Sequence, residues 1–305
     1  MFCAGSVYLM IPQGIPKRKW DVSFVSDIPK KLYLPSKIRG PLSLRSLESI
    51  IREDLDQVAD GPTREFGKLA LQLLIRRLKD LGQLPNIFNK DMLSLMVVSS
   101  SKMELCPTSY HSFLLTNYLA DEPEWHRWVD ECWPGRVESC ETPLGDSIRA
   151  NPLSVHLNLV REIDDDYHVL ISCRGGDNTN APNAWGHTAG GSVDIEDVCD
   201  YGNEALERAA TRELREELDI EIPLQNLSVV DFFVSSKVLD PVVVALAVVP
   251  DGQSTKWTLG EEVQSATWCK IADVQRNAQL TPQDWHYDTL DDMTMTVNAL
   301  GRGPI

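Results

Sequence analysis

Glu213, Glu216 and Glu217 stand three and four residues apart near the end of the stretch GNEALERAATRELREELDI, which runs from Gly202 to Ile220. At about 100° per residue, a helix through this stretch puts all three carboxylates on one face. Like charges at that spacing repel and weaken a helix. A hard divalent cation with oxygen ligands resolves the conflict, because Mg2+ takes a few carboxylates and leaves its other positions to water and substrate phosphate. The other use of the same residues is a solvated acidic face supported by Arg208, Arg212 and Arg215. The element that must hold them is a helix from about Glu204 to Leu218. Ala205, Ala209, Ala210 and Leu214 supply its apolar stripe, and Asn203, after Gly202, its N-cap.

Other chemistry is sparse. The seven cysteines (Cys3, Cys106, Cys132, Cys140, Cys173, Cys199 and Cys269) are odd in number and form no C-x-x-C, so neither a disulfide framework nor a zinc ribbon is expected. Reduced thiols in a cytoplasmic protein are the reading. The six histidines show no H-E-x-x-H spacing, which argues against a zinc enzyme. Charge divides unevenly along the 305 residues. Residues 151–305 hold 10 Lys/Arg against 26 Asp/Glu and carry the whole net charge of −16, so residues 1–150 are neutral. An acidic half repels nucleic-acid backbone and suits a divalent metal, so nucleic acid is disfavoured as a partner. The longest apolar run, Val242 to Val249, is far short of a bilayer span, and no membrane segment is expected. At the N-terminus an apolar stretch precedes the basic cluster Lys17-Arg18-Lys19, the reverse of a secretory signal; the basic arm reads as a solvated terminus.

The scaffold reads in two parts. Residues 44–59 and 63–82 are helices, the second with Phe66, Leu69, Ala70, Leu73, Leu74 and Leu78 at three- and four-residue steps and Gly82 at its end. Leu93 to Val98 is a short buried strand. Residues 109–133 are two helices broken at Asp121–Pro123, with Trp125, Trp128 and Trp133 in a core. Residues 134–152 lack periodicity and mark a boundary between a mainly helical domain, 1–145, and a second domain, 150–305. In the second domain Ser154 to Val160 and Tyr167 to Cys173 alternate in polarity around the turn Asp164-Asp165-Asp166, the signature of a hairpin. Later strands are Leu227 to Val234, Val242 to Val249 and Ser265 to Ile271, which with the glutamate helix give a mixed sheet in the α/β (α+β) range. Asp288, Asp291 and Asp292 read as the solvated face of a C-terminal helix.

The run starting at Glu204 resembles the Nudix box, G-x5-E-x7-R-E-U-x-E-E-x-G-U with U aliphatic. Glu204 is followed after seven residues by Arg212-Glu213-Leu214-Arg215-Glu216-Glu217-Leu218-Asp219-Ile220. The hairpin ending in Ile171-Ser172-Cys173-Arg174 looks like the family's second strand, and Gly190-Gly191 like its glycine-rich turn. Glu261-Glu262, followed by Ala266-Thr267-Trp268, looks like its late acidic loop and Trp-containing strand. The resemblance covers the second half alone. Two departures stand out. Val198 occupies the place of the box glycine, so the loop after Gly190-Gly191 carries an insertion that includes Asp194, Glu196, Asp197 and Asp200 and that could reshape the pocket or extend the acidic ligand set. Asp219 replaces the glycine after the helix, and Asp tolerates the left-handed conformation used there.

The resemblance implies a Nudix-like mixed-sheet α/β/α sandwich behind the helical N-terminal domain. It also implies Mg2+, with Mn2+ as the alternative, on Glu213, Glu216 and Glu217. Arg212 would orient a catalytic glutamate, with Glu204 as its partner, and either a box glutamate or one of Glu261 and Glu262 would be the general base. Arg174 would contact phosphate or form a surface salt bridge. Trp185 and His187, before Gly190 and Gly191, would bind a base or pack the loop. The implied activity is cleavage of a nucleoside diphosphate linked to another moiety, by metal-activated water, with a small nucleotide-type substrate. The alternative is a nucleotide-sensing regulator without turnover. RNA decapping would need a basic track that the acidic half lacks. Residues 1–145 could shape the pocket, form a homodimer interface or bind a partner.

Overall fold

The computed structural model describes residues 21–24, 34, 43–57, 61–80, 90–176, 178, 181–199, 204–249 and 255–301; the basic cluster at 17–19, Gly82, Asp200 and the cap at 202–203 lie outside them. The first half runs β1 (Asp21–Phe24), α1 (Leu44–Gln57), α2 (Gly61–Asp80), β2 (Asp91–Val98), β3 (Lys102–Ser109), α3 (Tyr110–Leu115) and α4 (Pro123–Cys132). The helices fall where periodicity places them. Trp125 is fully buried, stands edge-on to Phe66 with centroids 5.7 Å apart, and donates its indole N–H to Leu115 O at 3.1 Å; Trp133 packs on the same Phe66 ring at 5.4 Å. The helices share this half with a three-stranded sheet of order β1-β3-β2, of which the sequence shows one strand. Its middle strand, KMELCPTS, contains Pro107. Proline cannot donate to a ladder, and among the described residues β1 pairs with β3 from Lys102 to Leu105, so Pro107 lies beyond that ladder.

The second half runs β4 (Ser154–Ile163), β5 (Asp166–Arg174), β6 (Trp185–Gly186), β7 (Ala189–Ser192), α5 (Ile195–Cys199), α6 (Ala205–Leu218), β8 (Leu227–Val234), β9 (Pro241–Val249), β10 (Val263–Lys270), α7 (Ile271–Leu280) and α8 (Thr289–Ala299). Asp164 and Asp165 turn the β4–β5 hairpin with φ of 51° and 63°, the two positive values that a tight two-residue hairpin loop requires. The main sheet has the order β10-β5-β4-β9-β8, with β6 added on β5 and β7 on β4. β4 and β9 pair in parallel and the other ladders are antiparallel. All nine residues of β9 are buried, as a strand covered on both faces must be.

Alternation along β4 sorts the two layers. Val155, Leu157 and Leu159 join Ala205, Ala209, Ala210 and Leu214 of α6 in one apolar cluster. Val160 joins Met293 and Val297 of α8 in another, and Asn158 donates to Thr296 Oγ1 at 3.0 Å. The sheet is thus sandwiched between α6 on one side and α7 with α8 on the other. The α6-side cluster also takes in Val22, Leu93, Leu95, Met103 and Leu105 from the N-terminal sheet. Residues 134–152 are irregular but bonded to both halves. Leu95 N–H donates to Asn151 O at 3.0 Å and Leu153 N–H to Leu93 O at 2.8 Å. The fully buried Arg149 pairs with Glu138 at 3.1 Å and donates to Leu239 O at 2.8 Å. Among the described residues no helix is long and apolar enough to cross a membrane.

Candidate functional site

α6 brings the three glutamates together at the edge of the sheet. Asp219 closes the helix at φ 54°, the left-handed cap expected of that position, with its N–H on Arg215 O at 3.0 Å. Glu213 and Glu217, one turn apart, point inward and are 9% and 6% exposed, whereas Glu216 lies on the solvent side. Gly190 and Gly191, in β7, form the seat. Gly190 N–H donates to Glu217 Oε1 at 3.2 Å. A Cβ at Gly191 would overlap the Glu213 carboxylate, and one at Gly190 would stand 2.7 Å from His187 Nε2, so both positions need glycine for the close approach. Gly260 N–H donates to Glu217 O at 2.7 Å, which ties the loop carrying Glu261 and Glu262 to the end of α6. Both of those side chains are exposed, and Glu262 O accepts from Gly175 N–H at 2.8 Å and from Asn178 Nδ2 at 3.0 Å.

Burial sets the charge state of the inner pair. It pushes Glu213 up to about 7, against the opposing charge of Arg212, and Glu217 up to about 8, against Arg174, with the negative charges of Glu213 and Glu262 adding to the rise. Arg174, the half-buried last residue of β5, places its positive charge within range of Glu217, His187 and His286.

Arg212 is the hub of the site. Its Nη1 lies 2.6 Å from Glu213 Oε1 and 3.3 Å from Glu216 Oε2, and its Nη2 lies 2.8 Å from Ser192 O, 2.9 Å from Asp197 Oδ2 and 3.6 Å from Asp194 Oδ2. Two expectations change here. Glu204 is not a partner of Arg212. It pairs with Arg208 at 3.4 Å, one turn away, because Arg212 is two turns along and about 12 Å further up the axis. Of the described acids of the insertion, Asp194 and Asp197 turn toward the arginine instead of joining the glutamates as further ligands, and Glu196 is exposed.

On the other face of the sheet lies a cluster that the sequence does not announce. Asp292 of α8 is fully buried, with both carboxylate oxygens 3.0–3.1 Å from His156 Nδ1 and Oδ2 3.3 Å from His187 Nδ1. The solvated acidic face expected of this helix is therefore corrected: Asp288 and Asp292 are 2% and 0% exposed, and of the three Asp291 alone faces solvent. The reason is that Asp292 shares its inward face with Met293, Thr296 and Val297, where His156 supplies a counter-charge. Burial alone would raise Asp292, but His156 and His187 draw it down to about 2. His156 is held above its ordinary value by Asp292, against burial, while burial and His156 lower His187 to about 4. Asp292 is thus the acid of the cluster and His156 the base paired with it, with His187 the weaker base of the two.

One ligand atom from each of His156, His187 and Asp292 lies within 4.8 Å of the others. The two rings are stacked, however, with centroids 3.8 Å apart and planes 24° from parallel. An ion about 2.0–2.1 Å from both nitrogens would stand well out of each ring plane, so the geometry is that of a shared hydrogen bond. His187 is 4% exposed and reaches the glutamates through Gly190. Trp185 packs with the α8-side cluster, and its carbonyl accepts His286 N–H at 2.7 Å. Sequence reasoning did not single out His156 and read Asp292 as solvated. The one local signal was a histidine in the apolar alternation of β4.

Residues 156–291 match the NUDIX domain family. Among solved structures the chain is similar to the NUDIX domain of Shewanella oneidensis NrtR complexed with ADP ribose, at 20% identity over 50% of this chain and 90% of that one, TM-score 0.38. It is similar to a C. elegans Ap4A hydrolase in a binary complex, at 18% identity over 49% of this chain and 98% of that one, TM-score 0.35. A NUDIX hydrolase from Alicyclobacillus acidocaldarius is a third, at 15% identity over 50% and 96%, TM-score 0.40. No curated protein matches the sequence.

Proposed function

Residues 156–291 are a NUDIX domain, and from that premise we propose that the chain is a divalent-metal-dependent pyrophosphohydrolase whose substrate is a nucleoside diphosphate linked to a second moiety. One observation carries the reading. Glu213 and Glu217 are buried one turn apart beside the exposed Glu216, and the inner two are pushed up to about 7 and 8 with Arg212 and Arg174 as opposing charges. An all-oxygen donor set of that charge fits Mg2+ or Mn2+, and the seat of Gly190 and Gly191 already holds the inner carboxylates in place.

When bound, the metal would neutralise charge on a pyrophosphate oxygen and make water a nucleophile near neutral pH. The chain's own residues supply the rest. Glu213, Glu216 and Glu217 offer ligand oxygens. Arg212 fixes Glu213 and Glu216 through Nη1 while Ser192 O and Asp197 hold its other nitrogen. Arg174, at the end of β5, would contact a phosphate. Glu262, exposed on the loop tied to the end of α6, would take a proton from water, and a box glutamate is the other candidate for that step. The acidic second half favours a small nucleotide-type substrate over a nucleic acid, since it repels an extended phosphate backbone. Cys106, Cys132, Cys140, Cys173 and Cys269 are free thiols, which fits a reducing compartment such as the cytoplasm.

The test is phosphate-coupled turnover with Mg2+ on a panel of nucleotide sugars, dinucleotides and nucleoside triphosphates, comparing the native chain with Glu216→Gln. Cleavage of at least one class, abolished by the substitution with binding retained, is the expected result. Panel members that bind both proteins and are cleaved by neither would replace the hydrolase with a nucleotide-sensing regulator.

A further inference from the structure

A single lysine links the N-terminal half to the glutamates. Lys90 precedes β2, its carbonyl accepts Tyr110 N–H at 2.9 Å, and its Nζ lies 2.6 Å from Asp194 Oδ2. Asp194 belongs to the insertion ahead of α6, where its N–H donates to Asp197 Oδ2 at 2.9 Å. Both acids face Arg212 Nη2, at 3.6 and 2.9 Å, while Nη1 of the same guanidinium holds Glu213 and Glu216. Charges therefore alternate in a row: Lys90, Asp194, Arg212, then the glutamates. The Lys90, Asp194 and Arg212 side chains are 37%, 11% and 17% exposed, so all but the outermost are withdrawn from water and weakly screened. The charge of Lys90 is felt at Glu213 as well.

We propose that Lys90 is a positioning residue for the glutamate site: by engaging Asp194 it leaves Arg212 Nη1 on Glu213 and Glu216, and it sets the charge beside them. This rests on the reading of those glutamates as metal ligands. Lys90 touches neither glutamate. Its part is to satisfy an aspartate that would otherwise compete for the arginine. Without it, Asp194 draws the guanidinium toward the insertion and off the glutamates, and the site becomes one charge more negative. The two effects act in opposite directions on two observables: a divalent cation binds more tightly, and turnover falls because the ligand carboxylates are no longer fixed. Mere loss of packing would weaken both.

The experiment uses the full chain with Lys90→Met, Lys90→Arg, Asp194→Asn and the Lys90→Met/Asp194→Asn double variant, with Glu216→Gln as control. Mn2+ alone, followed by electron paramagnetic resonance at one fixed pH for all variants, reads the site without any substrate. Lys90→Met is expected to bind Mn2+ about threefold to tenfold more tightly, from the loss of one nearby positive charge. Its kcat is expected to fall about tenfold with KM changed less than about twofold, as for a lost orienting contact. Lys90→Arg should restore both values, and adding Lys90→Met to Asp194→Asn should change kcat by less than about twofold. Native Mn2+ affinity in Lys90→Met, or weaker affinity that arginine does not rescue, would overturn the proposal. Mn2+ binding that Glu216→Gln leaves untouched would instead overturn the metal-ligand reading beneath it.

Discussion

Glu213 and Glu217 hold protons near neutrality because burial disfavours their charged forms, raising them to about 7 and 8. A cation that needs both as carboxylates must displace those protons, so its affinity is coupled to pH. Mg2+ affinity is expected to climb from pH 6 through 8 and to level off above, with protons released on binding. Calorimetry in two buffers of different ionisation enthalpy reads that release, and a pH-independent affinity would refute it. Stability follows the same linkage with the sign of a raised acid. The metal-free fold carries no penalty below the ordinary glutamate value of 4.5 and loses stability as pH rises through 7 and 8, a loss that bound metal should remove. The glutamates, Arg212 and the left-handed Asp219 were legible in the sequence because each depends on residues one or two helical turns away. The seat was legible only as a pair of glycines: nothing nearby says that a carboxylate lies against Gly191.

At the scale of elements, the clamp of α8 on β4 rests on a buried charge pair. Replacing Asp292 by Asn removes the negative charge paired with His156 and leaves Asp288 and Asp240 as its nearest acids. A loss of about 3–5 kcal/mol, the usual cost of breaking a buried pair on one side, is expected in urea unfolding; a change under about 1 kcal/mol would mean that the pair contributes little. This contact explains why α8 was read as solvated. Asp288, Asp291 and Asp292 look like an acidic surface when the only neighbours in view are in sequence, and His156 is 136 positions away. By contrast, the β4–β5 hairpin could be read directly, since its alternation and its Asp164-Asp165 turn are both local. β3 was hidden for a local reason as well: the alternation from Lys102 to Leu105 is short and is broken at Cys106-Pro107, and the strand is defined by its partners β1 and β2.

Across the whole molecule, the N-terminal half is bound into the second half rather than tethered to it. Leu93 and Leu95 share a cluster with Leu157 and Ala209, and Arg149 joins Glu138 to Leu239 O. The sequence showed residues 134–152 as a break because regular structure stops there, and composition does not reveal hydrogen bonds made by irregular chain. The parallel ladder of β4 with β9, Ser154 against Val242 through Arg161 against Val249, has a consequence in time. Pairings between distant segments form late, since closing long loops costs entropy before the contacts offset it. α6 can coil from its own neighbours, but its seat on β7 and its link to Lys90 must wait for the sheet and the N-terminal strands to meet. A half-collapsed chain therefore presents a cation with nothing better than a wet acidic helix. In stopped-flow experiments, Mg2+ is expected to leave the refolding rate unchanged and to slow unfolding in proportion to its affinity; faster refolding with Mg2+ would show that the ion helps to build the fold. On the expected result, the ion governs how long the finished molecule lasts and not how quickly it is made.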